Sequence, residues 1–509
     1  MTHENESGRP EGRGLPRRSV LKAGVAGGLA ITGAAVATSA TTAVAVAEDA
    51  KDPNLRRHFD VIVVGAGVAG VTATRELRAK GKRVLLLEAR NRVGGRTWTD
   101  TWRGHMIERG GTWVDRLQPH VWRELNRYQL PIMADAGVVK SFMPTLTGFE
   151  ELDPSVAYIR QGELFTKFFE DSTRIYPKPF SPLHRRDLVA QYDGFSLRDR
   201  LNQMKLTPAD EILLTSWTSL YGGTSERGAL THIQQWWALS GGTFEAFHGV
   251  NTYRPKLGTV SIVNAMLAEA KPVLKLNSPV KSVVQNPGKV TVTTRAGEVF
   301  TAPEVIMAVP VNVWRNITFS PALPAAHREA TTAGMGVTEE RKLWIDLAKP
   351  SYRFVAESPE GRGDPFCYIG RFNDGDPVVA FTVDTTFNEN DGDAVERAIR
   401  RIIPEAKVRD YVVTNFAKDE FALGTGGYRQ PYQLIRLHEK LQQPHGRVKF
   451  AGSDIANGWN GYIDGAIEDG LRVAGSPTLS GPAAVAASAE ERIFVPKVNR
   501  QSYRGLSVR

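Results

Sequence analysis

Residues 59–97 read FDVIVVGAGVAGVTATRELRAKGKRVLLLEARNRVGGRT, and the order of parts within this stretch decides the fold. Phe59 to Val64 is a short apolar run rich in β-branched residues, which suits a strand covered on both faces of a parallel sheet. A tight turn follows. Gly65, Gly67 and Gly70 form G-x-G-x-x-G, in which the first glycine permits the turn, the second lets backbone approach a pyrophosphate, and the third allows close helix–strand packing. A helix opening near Val68 aims unpaired N–H groups and its positive dipole end at the phosphates, and Gly81 is placed to end it. Arg83 to Leu87 is a second strand. Glu88 closes it at the offset where an acidic residue accepts hydrogen bonds from ribose hydroxyls. A glycine-rich turn alone arises by chance or for structural reasons. Here strand, turn, helix, strand and acid stand in register, which predicts an α/β, Rossmann-like dinucleotide-binding fold. Nicotinamide and flavin both remain open on this much.

The next eight residues separate them. Arg90 to Thr97, RNRVGGRT, places Gly94 and Gly95 where backbone can approach a ligand and Arg96 where it can pair with phosphate. The segment resembles the extension that lies along FAD in the flavin-dependent amine oxidase family. That resemblance implies FAD as cofactor, with Gly65, Gly67, Ala69, Gly70, Glu88, Ala89, Arg90, Gly95 and Arg96 among the residues that hold it.

The chain has 509 residues, 41% hydrophobic and 23% charged, an ordinary globular composition with length for two domains. Of the net charge of +9, five charges come from residues 1–47 and 480–509. The rest is spread thinly with no basic stripe, which argues against a nucleic-acid partner. Arg17-Arg18-Ser19-Val20-Leu21-Lys22 precedes an Ala/Gly-rich apolar run from Ala23 to Ala37 and looks like a twin-arginine leader. Ala45-Val46-Ala47 supplies a cleavage site, making Glu48 the first mature residue. The competing reading is a membrane anchor, but the run falls short of the roughly 20 strongly apolar residues a spanning helix needs. Export by the twin-arginine route, to a periplasmic or extracellular location and without a stable anchor, is therefore expected. Cys367 is the single cysteine, so neither an internal disulfide nor a cysteine metal cluster is possible. No metal site is expected.

Beyond the cradle, Arg109-Gly110-Gly111-Thr112-Trp113 again calls for close approach, and Pro119 fits a helix start. In the family the matching glycine pair lies against the flavin ring, which implies Gly110, Gly111 and Thr112 as cofactor contacts and Trp113 as a cavity wall. As an indole, Trp113 reads equally well as core. From Leu130 to Phe247 the βαβ pattern gives way to a mixed one, with helix-like stretches at Ser196 to Met204 and Pro208 to Tyr221. Its aromatic set, Trp217, Tyr221, Trp236, Trp237, Phe244 and Phe247, reads mainly as core. Val273 to Leu276, Val280 to Val284 and Lys289 to Thr294 read as strands, with a turn at Asn286-Pro287-Gly288. Resemblance alone places Val280 backbone at the adenine.

Arg341 to Leu347, RKLWIDL, reads as a strand. The resemblance places Lys342 where the family keeps a lysine that holds a water beside flavin N5. Alternation groups Lys342 with Trp344 and Asp346, which equally suits a solvated face. Val448 to Gly452 is a strand ending at Gly452, and Ser453 begins the closing segment. GWNGYIDGAIEDGLRVAG then reads as a helix. In the family this helix aims its positive end at the flavin pyrimidine ring, where Ile463 offers its N–H.

The resemblance covers Phe59 to Gly475 and looks nearest to the bacterial nicotine-type amine oxidoreductases. It implies an FAD-binding domain from 56–130, 254–312 and 445–478, interleaved with an α+β substrate domain from 131–253 and 313–444. Residues 1–47 form the leader, and 479–509 a tail without an assigned role. Two departures stand out. Many members flank the amine with two rings; Tyr462 supplies one, but Gly426 stands where the other is expected, so the cage is half open. Some members tether FAD through a cysteine, yet Thr425 holds that place, so noncovalent FAD is expected. The implied reaction is oxidation of an amine C–N bond by hydride transfer to flavin N5, giving an imine that water hydrolyses. The resemblance gives Trp113 as a cavity wall, Tyr462 as a ring beside the amine and Lys342 as the holder of the water near N5, with oxygen or an electron-carrier protein reoxidising the flavin. Three alternatives stand: an L-amino-acid oxidase using Arg116 for a substrate carboxylate, a flavin desaturase, and a noncatalytic FAD-binding module. If the leader is read correctly, the Arg17→Lys/Arg18→Lys double variant accumulates uncleaved inside the cell, as cell fractionation would show. Its normal export would point to another route.

Overall fold

A computed structural model describes residues 58–336 and 339–481, together with the backbone of residues 493–494. The expected leader, and the tail beyond 481 apart from that pair, lie outside the described residues. Val61–Val64 is the middle strand of a five-stranded parallel sheet, ordered Val448–Phe450, Glu304–Met307, Val61–Val64, Val84–Leu87 and Val273–Lys275. Every residue of the two βαβ strands is buried. That requires cover on both faces. The first helix (Val68–Ala79), the helix Val260–Ala270 and the closing helix (Ile463–Val473) supply one cover through Val71, Ile262, Met266 and Ile467. Trp314, Ile317, Leu323, Leu437 and Leu441 supply much of the other.

This second cover reaches past residue 312. Thr318–Ser320, assigned from sequence to the substrate part, pairs in parallel with Val280–Asn286. It completes a four-stranded sheet with Lys289–Thr294 and Val299–Ala302. The stretch around Trp314 to Met335 therefore stays with the cofactor-side core, because the parallel sheet's second face would otherwise be wet. The three strands read between Val273 and Thr294 also divide: the first joins the parallel sheet and the other two the small one.

A seven-stranded sheet, ordered Lys407–Thr414, Arg341–Lys349, Val378–Thr382, Tyr368–Arg371, Phe354–Glu357, Lys140–Pro144 and Phe149–Leu152, draws on both stretches flanking the return to the cofactor side. One face packs Leu343, Ile345 and Leu347 against Val395 and Ile399 of the helix Gly392–Arg400. The helices Pro154–Phe168, Pro208–Gly222 and Leu230–Leu239 gather most of the aromatic set into a separate core. Backbone of Ile493–Phe494 pairs in parallel with Ile132–Ala134. No helix among the described residues is long and apolar enough to cross a membrane.

Gly70 shows why the turn and helix are inseparable. A Cβ there would stand 2.0 Å from the carbonyl oxygen of Gly65, closer than any real contact. Gly70→Ala should therefore push the first helix off the turn, destabilising the fold by about 1–3 kcal/mol despite alanine's better helix propensity. A lowered melting temperature checks this, and an unchanged one would show that the turn can yield.

Candidate active site

The two strands and the first helix open onto a cavity of about 1490 Å³, larger than the roughly 300–1,000 Å³ that serves one small ligand. At its nucleotide end lie Gly65, Gly67 and Ala69, then Glu88, Ala89 and Arg90 beyond the second strand. Gly70 does not border the cavity; it acts through packing. The N-cap of the first helix is Gly67, and that of the closing helix is Tyr462; neither helix has a side-chain cap. Two sets of first-turn amides therefore remain for a ligand, each at a positive dipole end. Both helix starts border the same cavity, through Ala69 and Ile463. Glu88, 3% exposed, accepts from the amides of Ala66 (2.8 Å) and Arg90 (2.9 Å), one on each oxygen. A carboxylate has about four lone-pair sites, so capacity for hydroxyl donors remains. This arrangement fits a dinucleotide.

Arg96 borders the cavity and has protein partners as well. Its guanidinium donates to Asp454 (2.7 Å), to Ser453 Oγ (3.1 Å) and to the carbonyl of Thr425. Asp454 is buried, and an unpaired carboxylate there would be costly. The arginine thus joins the RNRVGGRT segment to the closing segment, alongside its place on the cavity wall. Gly95, Gly110, Gly111, Thr112, Val280, Gly452 and Ser453 border the same space.

Lys342 lies in the strand Arg341–Lys349 with 7% exposure, which rules out the solvated face. The alternation itself holds, since Leu343 and Ile345 face one core, but the opposite face is covered by the cofactor side. Its Nζ donates to the carbonyl of Gly110 (2.9 Å) and to Thr112 Oγ1. It also lies over the rings of Trp344, Phe381 and Trp113 at 5.3, 5.5 and 5.7 Å. Burial pushes its pKa down to about 7, against the pull of Glu108 and Glu340. Glu340, two residues back on the strand side, borders the cavity, and burial pushes its carboxyl up to about 7.

Trp113 borders the cavity and donates its Nε1–H to Asp135 (3.0 Å). Tyr462 stands edge-on to Trp236 at 4.6 Å and to Trp459 at 5.2 Å. Beside Gly426, the half-open cage is partly filled. A Cβ at Gly426 would lie 2.9 Å from the Tyr428 ring, and that ring borders the cavity and packs on Trp236 at 5.2 Å. The sequence reading missed Tyr428, Glu340 and Asp135. Strand alternation carried back from Lys342 would have found Glu340; for the other two only the folded chain gives a signal. Arg116 does not border the cavity, and its guanidinium lies over Trp122 and Tyr253. Cys367 is buried, outside the cavity wall. The described residues contain no group of His, Cys, Asp or Glu able to hold a metal.

Comparison with known proteins identifies the family. The family model described as flavin containing amine oxidoreductase matches residues 68–476. Pseudooxynicotine dehydrogenase from a Pseudomonas species is 34% identical over 486 residues, covering 92% of this chain and 97% of that protein. Nicotine dehydrogenase from Pseudomonas putida is 34% identical over 479 residues, covering 90% and 96%. The structure of putrescine oxidase bound to putrescine superposes with a TM-score of 0.69 at 23% identity, covering 82% of this chain and 98% of that one; that likeness concerns the fold.

Proposed function

The chain belongs to the flavin-containing amine oxidoreductase family and oxidises an amine C–N bond with a flavin cofactor, and on that premise we propose a nicotine-type amine as substrate, noncovalent FAD and action after export. One observation carries the reading of the site: a single cavity joins the dinucleotide cradle to Lys342, Trp113 and Tyr462. The names of the two relatives at 34% identity support the substrate class. Both are dehydrogenases by name, which favours an electron-carrier protein over oxygen as acceptor. The twin-arginine pattern before Ala23 supports export.

Bound flavin supplies the hydride acceptor. The protein supplies position, dryness and charge. Glu88 and the amides of the first helix orient the nucleotide. The open N-terminus of the closing helix favours negative charge on the group beside Ile463. Tyr462, Tyr428 and Trp113 wall the reacting end with apolar ring surface, which favours the neutral amine over its ammonium form. No base among them is required for an amine that binds unprotonated. Lys342 holds a proton at Nζ in a dry site, between the Gly110 carbonyl and Thr112 Oγ1, ready to steady a water or a developing charge.

Support for noncovalent FAD comes from Cys367, the chain's one cysteine, lying off the cavity. Acid precipitation should release intact FAD into the supernatant; flavin retained in the pellet would refute this.

Lys342→Met keeps stem length while removing charge and donors. Stopped-flow measurement should show one half-reaction, flavin reoxidation or product hydrolysis, slowed by about 10²-fold. In the wild type the ammonium is lost as pH rises through about 7, so the same step should slow from the acid to the alkaline side of that value, and the variant should lack this fall. Matching rates in variant and wild type would remove Lys342 from the site.

A further inference from the structure

The closing helix carries a charge that the reaction above does not use. Asp464 stands in its first turn, directly after Ile463, and is fully buried. Its carboxylate serves another helix. In Pro119–Arg127 the N-cap Gln118 provides no side-chain cap and Pro119 has no N–H, so the amides of His120 and Val121 need an acceptor. Both donate to Asp464 Oδ1, at 2.6 and 2.9 Å. Oδ2 stands 3.0 Å from His120 Nδ1, and His120 is as buried as its partner.

The other ring nitrogen fixes where the proton is. Leu479, in the segment after the closing helix, donates its backbone N–H to His120 Nε2 at 2.9 Å. A backbone N–H can only donate, so Nε2 presents its lone pair, and the ring's one proton sits on Nδ1, where it is donated to Asp464. His120 is thereby neutral, and the pair carries one negative charge. A proton on Nε2 would set two donors against each other, so the imidazolium forms only when the Leu479 amide withdraws. The surrounding charges are engaged elsewhere. Glu124, a turn further along the histidine's own helix, is held by Arg75 at 3.1 Å, and Asp469 of the closing helix pairs with Arg472. Glu468 accepts from the amide of Gly458 at 2.8 Å, and burial pushes its carboxyl up to about 8. The Phe180 ring lies edge-on to the imidazole at 6.5 Å.

The start of the closing helix borders the cavity through Tyr462 and Ile463. Its positive end stabilises negative charge developing beside it, as on a reduced flavin. A carboxylate in the same turn opposes that effect, and an imidazolium beside the carboxylate would cancel the opposition.

We propose that His120 and Asp464 set the field at the cavity end of the closing helix, and that the Leu479 amide holds the pair at one negative charge, keeping the bound flavin harder to reduce. The two are positioning residues, since neither borders the cavity and both act through the helix that does. The inference rests on the flavin reading of the site and adds to it a control on the reduction potential, exerted by the chain segment beyond the closing helix.

The test is a redox titration of the flavin in the full chain and in Leu479→Pro, which removes the N–H and no charge. It is run at about pH 6 and about pH 8.5, either side of the usual range for histidine ionisation. On the acid side the freed imidazole takes a proton, and the midpoint potential of the variant should rise above wild type by about 30 mV, a tenfold shift for a two-electron couple. On the alkaline side the two proteins should coincide. Glu468 titrates alike in both and drops out of the difference. His120→Asn keeps a donor for Asp464 but cannot ionise, so adding Leu479→Pro to it should change nothing. Equal potentials at both pH values, a shift present at both, or a shift that survives in the His120→Asn background overturns the proposal. Flavin content and melting temperature report whether Leu479→Pro folds. If it does not, nitrogen-15 NMR of the histidine-labelled wild type decides: the resonances lost in His120→Asn must be those of a neutral Nδ1–H ring at both pH values, and an imidazolium or Nε2–H form overturns the pair. A chain that purifies without flavin would fail the cofactor reading, and the NMR measurement would still judge the pair.

Discussion

The structure depends on the close packing of the first helix against the closing helix. A Cβ at Gly470 would stand 2.5 Å from the carbonyl oxygen of Ala69 and 2.7 Å from Thr72 Cβ, so the two can lie this near only without a side chain there. Their contact covers the central strands and brings two uncapped N-termini to one cavity. Each contributes orphan amides and a partial positive charge. Anything that held the helices apart would uncover the parallel sheet and separate the nucleotide end of the site from the reacting end.

A second constraint is charge in a dry place. Lys342 is buried with Gly110, Thr112, Glu108 and three aromatic rings around it. Glu108 in turn accepts from Thr259 N and Oγ1 at 2.7 Å and from Thr99 Oγ1 at 2.9 Å. Such burial costs free energy unless every donor and acceptor is used. Here the network ties Thr99–Trp102 and His105–Glu108, the helix Val260–Ala270 and the seven-stranded sheet to one lysine. The placement of Lys342 is thus a property of the packed assembly, and its lowered pKa follows from burial.

The aromatic residues divide into two kinds. Trp237 and Phe247 lie only in the core, with ring centroids 5.5 Å apart. Tyr221 and Phe244 belong to that core and also border the cavity. Sequence spacing could not separate these kinds, since a ring looks the same in either place. The Gly426 position makes the same point: the side chain is missing, and the Tyr428 ring stands beside it.

The fold class was legible in the sequence because it rests on local patterns. A β-branched run, three glycines at fixed spacing, a helix and an acid at a strand end can each be read within 39 residues, since backbone approach to a pyrophosphate permits few solutions. The closing helix was legible for the same reason, and resemblance to a family singled out Lys342 and Tyr462, both of which border the cavity. What only tertiary structure decided were features set by distant partners. These include the cover that keeps Trp314 and its neighbours with the cofactor side, the pairing of Arg96 with Asp454, and the burial of Lys342. The row of Lys342, Phe381, Tyr368 and Glu357, each set opposite the next on neighbouring strands of the seven-stranded sheet, belongs with them. It crosses four strands whose neighbours are fixed by hydrogen bonds between strands, and no spacing along one chain encodes which residues will stand opposite each other.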